Sequence, residues 1–273
     1  TPRSALGIAR AVGAPQHRAQ LVMAAPRVRP STRRPLFPNG ASLRALAAGI
    51  ALSSAAAQVA AADLATVVLI TEAGCPGCQR AILGPLNEVA AKVGDLVDLQ
   101  HHPFGNNYYA TQECGGGSTK YDSAARHCWA RRCVGLPNPP PDCFTGDIVT
   151  QHGPDESQVN RMTACAMAYS GSWRAYWPFL VCMEKEYETL HVNAARQCAL
   201  EAHLDYDTIS ACYSGSQGDD LIQAHAKATL DHMYTPTVLL DGKEVQAEEV
   251  LAAVCAKQKT AHPGCAGLSM RFV

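Results

Sequence analysis

The 273-residue sequence has no excess of positive charge: 23 Lys and Arg stand against 24 Asp and Glu, a formal net charge of -1. That leaves no basic surface for nucleic acid, so no nucleic-acid partner is expected. The sequence also lacks any Asn-X-Ser/Thr triplet, the acceptor of N-linked glycans. It lacks a strongly apolar span as well. The best candidate, residues 45–62, is 18 residues long, mostly Ala, and contains Ser53, Ser54 and Gln58. Such a run is too weakly apolar to favour crossing a bilayer, and no stable membrane anchor is expected. Residues 1–61 lack Lys, Asp, Glu and Cys, although they hold eight Arg. The remainder therefore carries 15 basic and 24 acidic residues, a net of -9, together with all 12 cysteines.

What is present falls into two parts. Arg33, Arg34 and Arg44 precede the weakly apolar run, which ends in Val59-Ala60-Ala61. A basic segment, a short apolar segment and a small-residue site read as a secretory signal. Residues 1–61 are thus expected to be a targeting segment that is removed, with the mature domain, 62–273, beginning near Ala62. The alternative is a two-part organelle signal, with 1–40 as a transit peptide and the following run addressing a lumen such as the thylakoid's. A 47% hydrophobic content supports a globular core. Twelve cysteines point to an oxidising compartment.

The chemistry starts with a strand signal at 66–71 (TVVLIT), followed by Cys75-Pro76-Gly77-Cys78 and a helical pattern in Ile82, Leu83, Leu86, Val89, Ala90 and Val93. Gly84-Pro85 should kink that helix. A second strand is expected over 96–104. A cysteine at a helix start has its thiolate stabilised by free backbone N–H groups and the positive dipole end. Cys75 is therefore expected to be exposed and acidic, and Cys78, one turn in, to be shielded. Pro76 suits the first helical turn. The pair divides into an attacking and a resolving thiol. A zinc site would need a second ligand pair at suitable spacing, and a plain structural disulfide of this span would be strained.

Far downstream, residues 237–240 and 243–245 flank Asp241-Gly242, a strong hairpin signal, and Pro236 opens the first strand. In thioredoxin-like folds a cis-proline before such a hairpin packs on the CxxC, and the residue before it, here Thr235, meets the bound peptide. The alternative for Pro236 is a trans proline opening an edge strand. A closing helix is expected over 247–257.

Between these ends, helical patterns cover 157–168, 173–186, 192–203, 206–212 and 219–233, with Asp205 as an N-cap and Gly218 as a break. An inserted helical lobe, about 108–233, is implied. Trp173, Trp177 and Phe179 are expected to fill its core. Residues 108–149 read as loop, with Gly115-Gly116-Gly117, Asn138-Pro139-Pro140-Pro141 and four cysteines that staple it. A zinc site at His127 fits no standard spacing. His101 and His102 are expected to face solvent or the lobe rather than a metal.

These residues resemble the gamma-interferon-inducible lysosomal thiol reductase family. Its signature, C-Q-H-G-x-x-E-C-x-x-N-x-x-x-x-C, is met by Gln151, His152, Gly153, Glu156, Asn160 and Cys165. Pro103-Phe104-Gly105-Asn106, Val181-Cys182-Met183-Glu184, Cys198, Cys212, Thr235-Pro236, Cys255 and Cys265 are family-like too. The signature's first two cysteines are Thr150 and Ser157 here, and are expected to have been lost as a bonded pair. The resemblance implies an α/β thioredoxin-like fold with a helical insertion and several disulfides. It implies a thiol-disulfide oxidoreductase that reduces protein disulfides. Cys75 and Cys78 would be catalytic, Pro236, Thr235, Pro76 and Gly77 would position substrate, and no metal or organic cofactor is needed. Disulfide-containing unfolded proteins and a thiol electron donor would be its partners. Its place would be the secretory pathway, ending in a lysosome, a vacuole or outside the cell. His152 is expected to hydrogen-bond backbone. An oxidase or isomerase, and a stapled binding protein with an inert CxxC, are the readings to be told apart from a reductase.

Overall fold

The computed structural model describes residues 64–186 and 193–268. The targeting segment expected over 1–61 lies outside the described residues. Strand β1 (Ala65–Ile70) is followed by helix α1 (Pro76–Leu83) and, across Gly84, by helix α2 (Pro85–Val93), so the break expected at Gly84-Pro85 separates two helices. Strand β2 (Val97–His102) ends two residues earlier than the pattern suggested, because residues 103–106 turn away toward Glu72. Then come β3 (Tyr108–Tyr109), α3 (Ser123–Cys133), β4 (Ile148–Val149), α4 (Pro154–Tyr169) and α5 (Trp173–Lys185). They are followed by α6 (Ala194–Glu201), α7 (Tyr206–Ser214) and α8 (Ser216–Ala228). The chain closes with β5 (Thr237–Leu240), β6 (Lys243–Val245) and α9 (Val250–Ala256).

The main sheet has the order β2-β1-β5-β6, with β1 parallel to β2 and the other neighbours antiparallel. A βαβ unit joined edge-on to a ββα unit is the thioredoxin-like arrangement. Alternate residues Ala65, Val67 and Leu69 of β1 are buried with Ile82, Leu86, Val89, Trp177, Leu180, Val250 and Val254, so α1, α2, α5 and α9 cover this face. Trp177 thus belongs to the sheet core rather than to a separate lobe, whereas Phe179 packs with Met162 and Ala195 among the helices. Asp241 and Gly242, both at positive φ, form the hairpin turn, and Asp241 Oδ1 accepts the Thr66 N–H.

The segment 108–149 is not a plain loop. It forms α3 and the two-stranded β3–β4 pair. Asp122 caps α3 by accepting the Ala124 and Ala125 N–H groups, and the Cys114–Cys128 and Cys133–Cys143 disulfides fasten its middle and its C-terminal end. Its inward face is Ala125, Arg126, Trp129, Ala130 and Cys133. A buried Arg in that stripe hides the periodicity. Gly218 likewise does not break a helix. It lies inside α8, where a Cβ would stand 2.3 Å from Arg161 Nε and 3.0 Å from the Cys212 carbonyl oxygen. Close packing of α8 on α4 and α7 demands a residue without a side chain there. Asp205 caps α7 as expected.

Three further disulfides tie α4 to α7 (Cys165–Cys212), α5 to α6 (Cys182–Cys198) and α9 to the segment after it (Cys255–Cys265). Ten of the 12 cysteines are therefore paired, and Cys75 and Cys78 are free thiols. The Thr150 and Ser157 hydroxyls donate to nearby backbone carbonyls, Gly153 O and Pro154 O. No helix among the described residues is long and apolar enough to cross a membrane.

Candidate functional site

Cys75 is the N-cap of α1 and Pro76 opens its first turn. The Cys75 sulfur accepts the Cys78 N–H at 3.2 Å. The Thr235–Pro236 peptide bond is cis and brings Thr235 against the same sulfur, with its carbonyl oxygen at 3.7 Å and Oγ1 at 3.6 Å. This contact buries Cys75 to 5% exposure, against the expectation of an exposed thiol, and Cys78 is 0% exposed. The overlying strand start comes from 160 residues away in sequence, so the helix start alone could not reveal it. Pro76, Gly77, Thr235 and Pro236 all lie around the Cys75 sulfur.

The two thiols titrate in opposite directions. Hydrogen bonding to the Cys78 side chain, to Thr235 and to the Cys78 and Gly77 N–H groups draws Cys75 down from 9.0 to about 6, against the opposing effect of burial. Burial, and then the hydrogen bond to and charge of Cys75, raise Cys78 well above 9.0.

Beneath the thiols lie acids that the sequence reading did not single out. Glu72 is 1% exposed; its Oε2 accepts the Asn106 N–H at 2.5 Å and its Oε1 accepts the Thr235 hydroxyl at 2.9 Å. Burial and the neighbouring Glu156 push Glu72 up to about 8. Gly105 makes room for it: φ is +54°, and a Cβ there would lie 2.4 Å from Glu72 Oε2. Glu184 is also pushed up to about 8, by burial and then by the Cys75 charge.

Residues of the 150–160 segment lock this layer. Asn160 Oδ1 accepts the Ala73 N–H at 2.8 Å, and Gln151 Oε1 accepts Asn106 Nδ2 at 2.9 Å. Glu156 Oε2 accepts the His152 N–H at 2.6 Å and lies 3.1 Å from His152 Nδ1. The His152 ring thus bonds a carboxylate rather than backbone, and that bond raises its pKa. His101 is buried, bonded to Thr71 Oγ1 at 2.7 Å and stacked on Tyr176 of α5. Because Glu72 precedes α1 while Glu156 and Asn160 lie on α4, local pattern does not mark them as neighbours. For Glu156 and Asn160 the one signal was their presence in the family-like motif; Glu72 had none.

The site opens on a cleft of about 500 Å³ lined by Cys75, Gly77, Tyr121, His152, Met233, Tyr234 and Thr235, among others. Met233 is 73% exposed and Tyr234 48%, an apolar rim next to the sulfur. Among the described residues no group of three or more His, Cys, Asp or Glu is placed to hold a metal ion.

The model of the family "Gamma interferon inducible lysosomal thiol reductase (GILT)" matches residues 143–202, which contain the Gln151–Cys165 motif and α5. The "Gamma-interferon-responsive lysosomal thiol protein" of Arabidopsis thaliana is 26% identical over 204 residues, 70% of this chain and 70% of that protein. Over these stretches the chain is similar to the GILT family. A "GILT-like protein" of Caenorhabditis elegans is 29% identical over 97 residues, 34% of this chain and 29% of its own length. Among solved structures, the "MdbA protein, a thiol-disulfide oxidoreductase" of Corynebacterium diphtheriae aligns over 72% of this chain and 86% of its own, with 16% identity and a TM-score of 0.40. The four-stranded sheet with a cis-proline beside the CxxC is a thioredoxin-like fold, and the family-model match and the Arabidopsis relative support a thiol-disulfide oxidoreductase.

Gly77 offers a local test of the crowding at this site. A Cβ there would lie 3.0 Å from Pro236 Cδ and 3.7 Å from Cys75 Sγ. Gly77→Ala is expected to regain part of the roughly 1 kcal/mol that glycine loses in a helix. The melting temperature should therefore hold, while the reaction of Cys75 with a protein disulfide slows several-fold. An unchanged rate would show that the neighbouring proline gives way freely.

Proposed function

We propose that this protein reduces disulfide bonds in protein substrates through Cys75 and Cys78, in the acidic part of the secretory pathway. Cys75 attacks as a thiolate and forms a mixed disulfide; Cys78 attacks Cys75, releases the reduced substrate and leaves Cys75–Cys78 oxidised. A small thiol then restores the pair. The observation that carries this reading is the Cys75 sulfur held between the Cys78 N–H and Thr235, with its pKa drawn to about 6. Below that pH an ordinary thiol of pKa 9.0 would carry about a thousandth of the thiolate. Nucleophilicity falls with pKa, with a Brønsted slope of about 0.4–0.5, so the net advantage is roughly 30- to 60-fold. The exposed Met233 and Tyr234 beside the sulfur suit an unfolded chain: a flexible thioether and an amphipathic ring accept varied side chains.

A pKa of about 6 lies between those of thioredoxin, about 7, and DsbA, about 3.5. The reduction potential should accordingly fall between about -270 and -120 mV. Insulin reduction at pH 5 with a small-thiol donor tests the proposal, together with that potential. Turnover at pH 5 is the expected result. Oxidation of reduced proteins without any reduction would make the protein an oxidase, and no reaction of either kind would leave the CxxC inert.

A further inference from the structure

Attack by Cys75 does not by itself use the polar contacts behind the sulfur. Thr235 Oγ1 stands 3.6 Å from Cys75 Sγ and 2.9 Å from Glu72 Oε1. On the far side, His152 Nδ1 lies 3.7 Å from Glu72 Oε1, and its ring, 24% exposed, lines the cleft. A hydroxyl has one proton, so it can donate to Glu72 or to the sulfur but not to both.

We propose that Glu72 is a positioning residue for the Cys75 thiolate, its protonation deciding whether the Thr235 hydroxyl serves the carboxylate or the sulfur. With Glu72 protonated, its O–H donates to Thr235 Oγ1 and the Thr235 O–H donates to the Cys75 sulfur, which favours the thiolate. With Glu72 ionised, the Thr235 O–H turns to the carboxylate and the sulfur loses that donor. The proton that Cys75 releases goes to solvent, and no electron is transferred. This inference rests on Cys75 being the attacking thiol.

Charged and titratable groups bear on both ends of this hydroxyl. Glu72 is faced by Glu156 from α4, by His152 from the turn before it, by Tyr121 and Arg126 from the 108–149 segment, and by Cys78 from α1. Cys75 is faced by Glu184 from α5 and by His152. With Glu72 pushed up to about 8 and Cys75 drawn down to about 6, the carboxyl already holds its proton when Cys75 becomes a thiolate. The missing Cβ of Gly105 and the Asn106 N–H fix that carboxyl in place.

The test is the rate of Cys75 alkylation by iodoacetamide from pH 4 to 10, followed by peptide mass, with the other five disulfides intact. Wild type should show a main rise near pH 6 and a smaller second rise near pH 8, where Glu72 ionises and makes the sulfur more basic. Glu72→Gln, uncharged and still able to donate to Thr235, should keep the lower rise and lose the upper one. Thr235→Val should lose the upper rise and move the lower one upward by about one unit or more; Thr235→Ser should restore both. A merely structural role would leave the profile unchanged. An upper rise that persists in Glu72→Gln, or a Thr235→Val profile that superimposes on wild type, overturns the proposal. Should Glu72→Gln fail to fold, the two Thr235 variants decide by the same profile. Insulin turnover of wild type, measured alongside, separates the two readings. Two rises without turnover would refute disulfide reduction but not the hydroxyl switch; turnover with a single rise would refute the hydroxyl switch alone.

Discussion

Cys75→Ser is expected to abolish reaction with protein disulfides, whereas Cys78→Ser is expected to attack once and stop as a covalent mixed disulfide. The asymmetry follows from place and charge. The Cys75 sulfur borders the cleft and takes hydrogen bonds that favour its thiolate, which draws its pKa to about 6. Cys78 is fully buried, its pKa is raised, and it meets no substrate until a mixed disulfide forms at Cys75. Serine at position 75 removes the one sulfur that a protein disulfide can reach, and its hydroxyl is almost wholly protonated below pH 9, so the rate should fall to that of the uncatalysed exchange. Serine at position 78 leaves the attack but removes the group that resolves it. Mass spectrometry after mixing the reduced variant with a small protein substrate carrying one intact disulfide would detect the adduct. An adduct on Cys75→Ser, or steady turnover by Cys78→Ser, would reverse the assignment of the two sulfurs.

Local signals made the frame legible. The β-branched run before the CxxC, Pro76 at a helix start, Asp241-Gly242 between two short strands and Asp205 before α7 each act through their own neighbours, so the sequence displays them. The parts that escaped are made by distant chain segments. Cys75 is hidden by Thr235, Glu72 is caged by Gly105 and Asn106, and from α4 Glu156 acts on Glu72 while Asn160 holds the Ala73 N–H. A buried acid has no sequence periodicity of its own; it becomes visible only when three elements close over it. Helix α3 escaped for a related reason. Its inward Arg126 is satisfied by the His232 carbonyl and Asp231, more than 100 residues away, so a charge stands where the pattern demands an apolar residue.

Stability of the oxidised protein is expected to peak near pH 6.5 and to fall on either side. Glu72 and Glu184 titrate near 8 in the reduced folded protein, against 4.5 when unfolded, and burial, the largest cause of both shifts, acts in the oxidised form too. Between those values the fold holds protons that the unfolded chain has released, so their contribution is complete below pH 4.5 and lost as pH rises toward 8. His152, raised by Glu156, acts in the same sense above pH 6.5. Four buried or half-buried histidines oppose them. His101 and His102 titrate below 6.5, and His225 and His232 near 4, mainly because burial disfavours their charged forms. Their contribution is complete above pH 6.5 and lost as pH falls. Four histidines outweigh two carboxyls below pH 6.5, and only the carboxyls and His152 act above it. At about 1.4 kcal/mol per group and pH unit, the two carboxyls alone should remove on the order of 2–4 kcal/mol between pH 6.5 and 8. The disulfides raise both limbs alike without changing their shape: in the chain-entropy account the Cys165–Cys212 link, closing 47 residues, contributes about 4 kcal/mol at every pH. Urea midpoints from pH 4 to 9 check this. The double variant Glu72→Gln and Glu184→Gln should flatten the alkaline limb and leave the acid limb in place, while His225→Gln should relieve part of the acid limb. A stability that rises steadily from pH 6.5 to 8 would show that the two carboxyls are ionised in the folded protein.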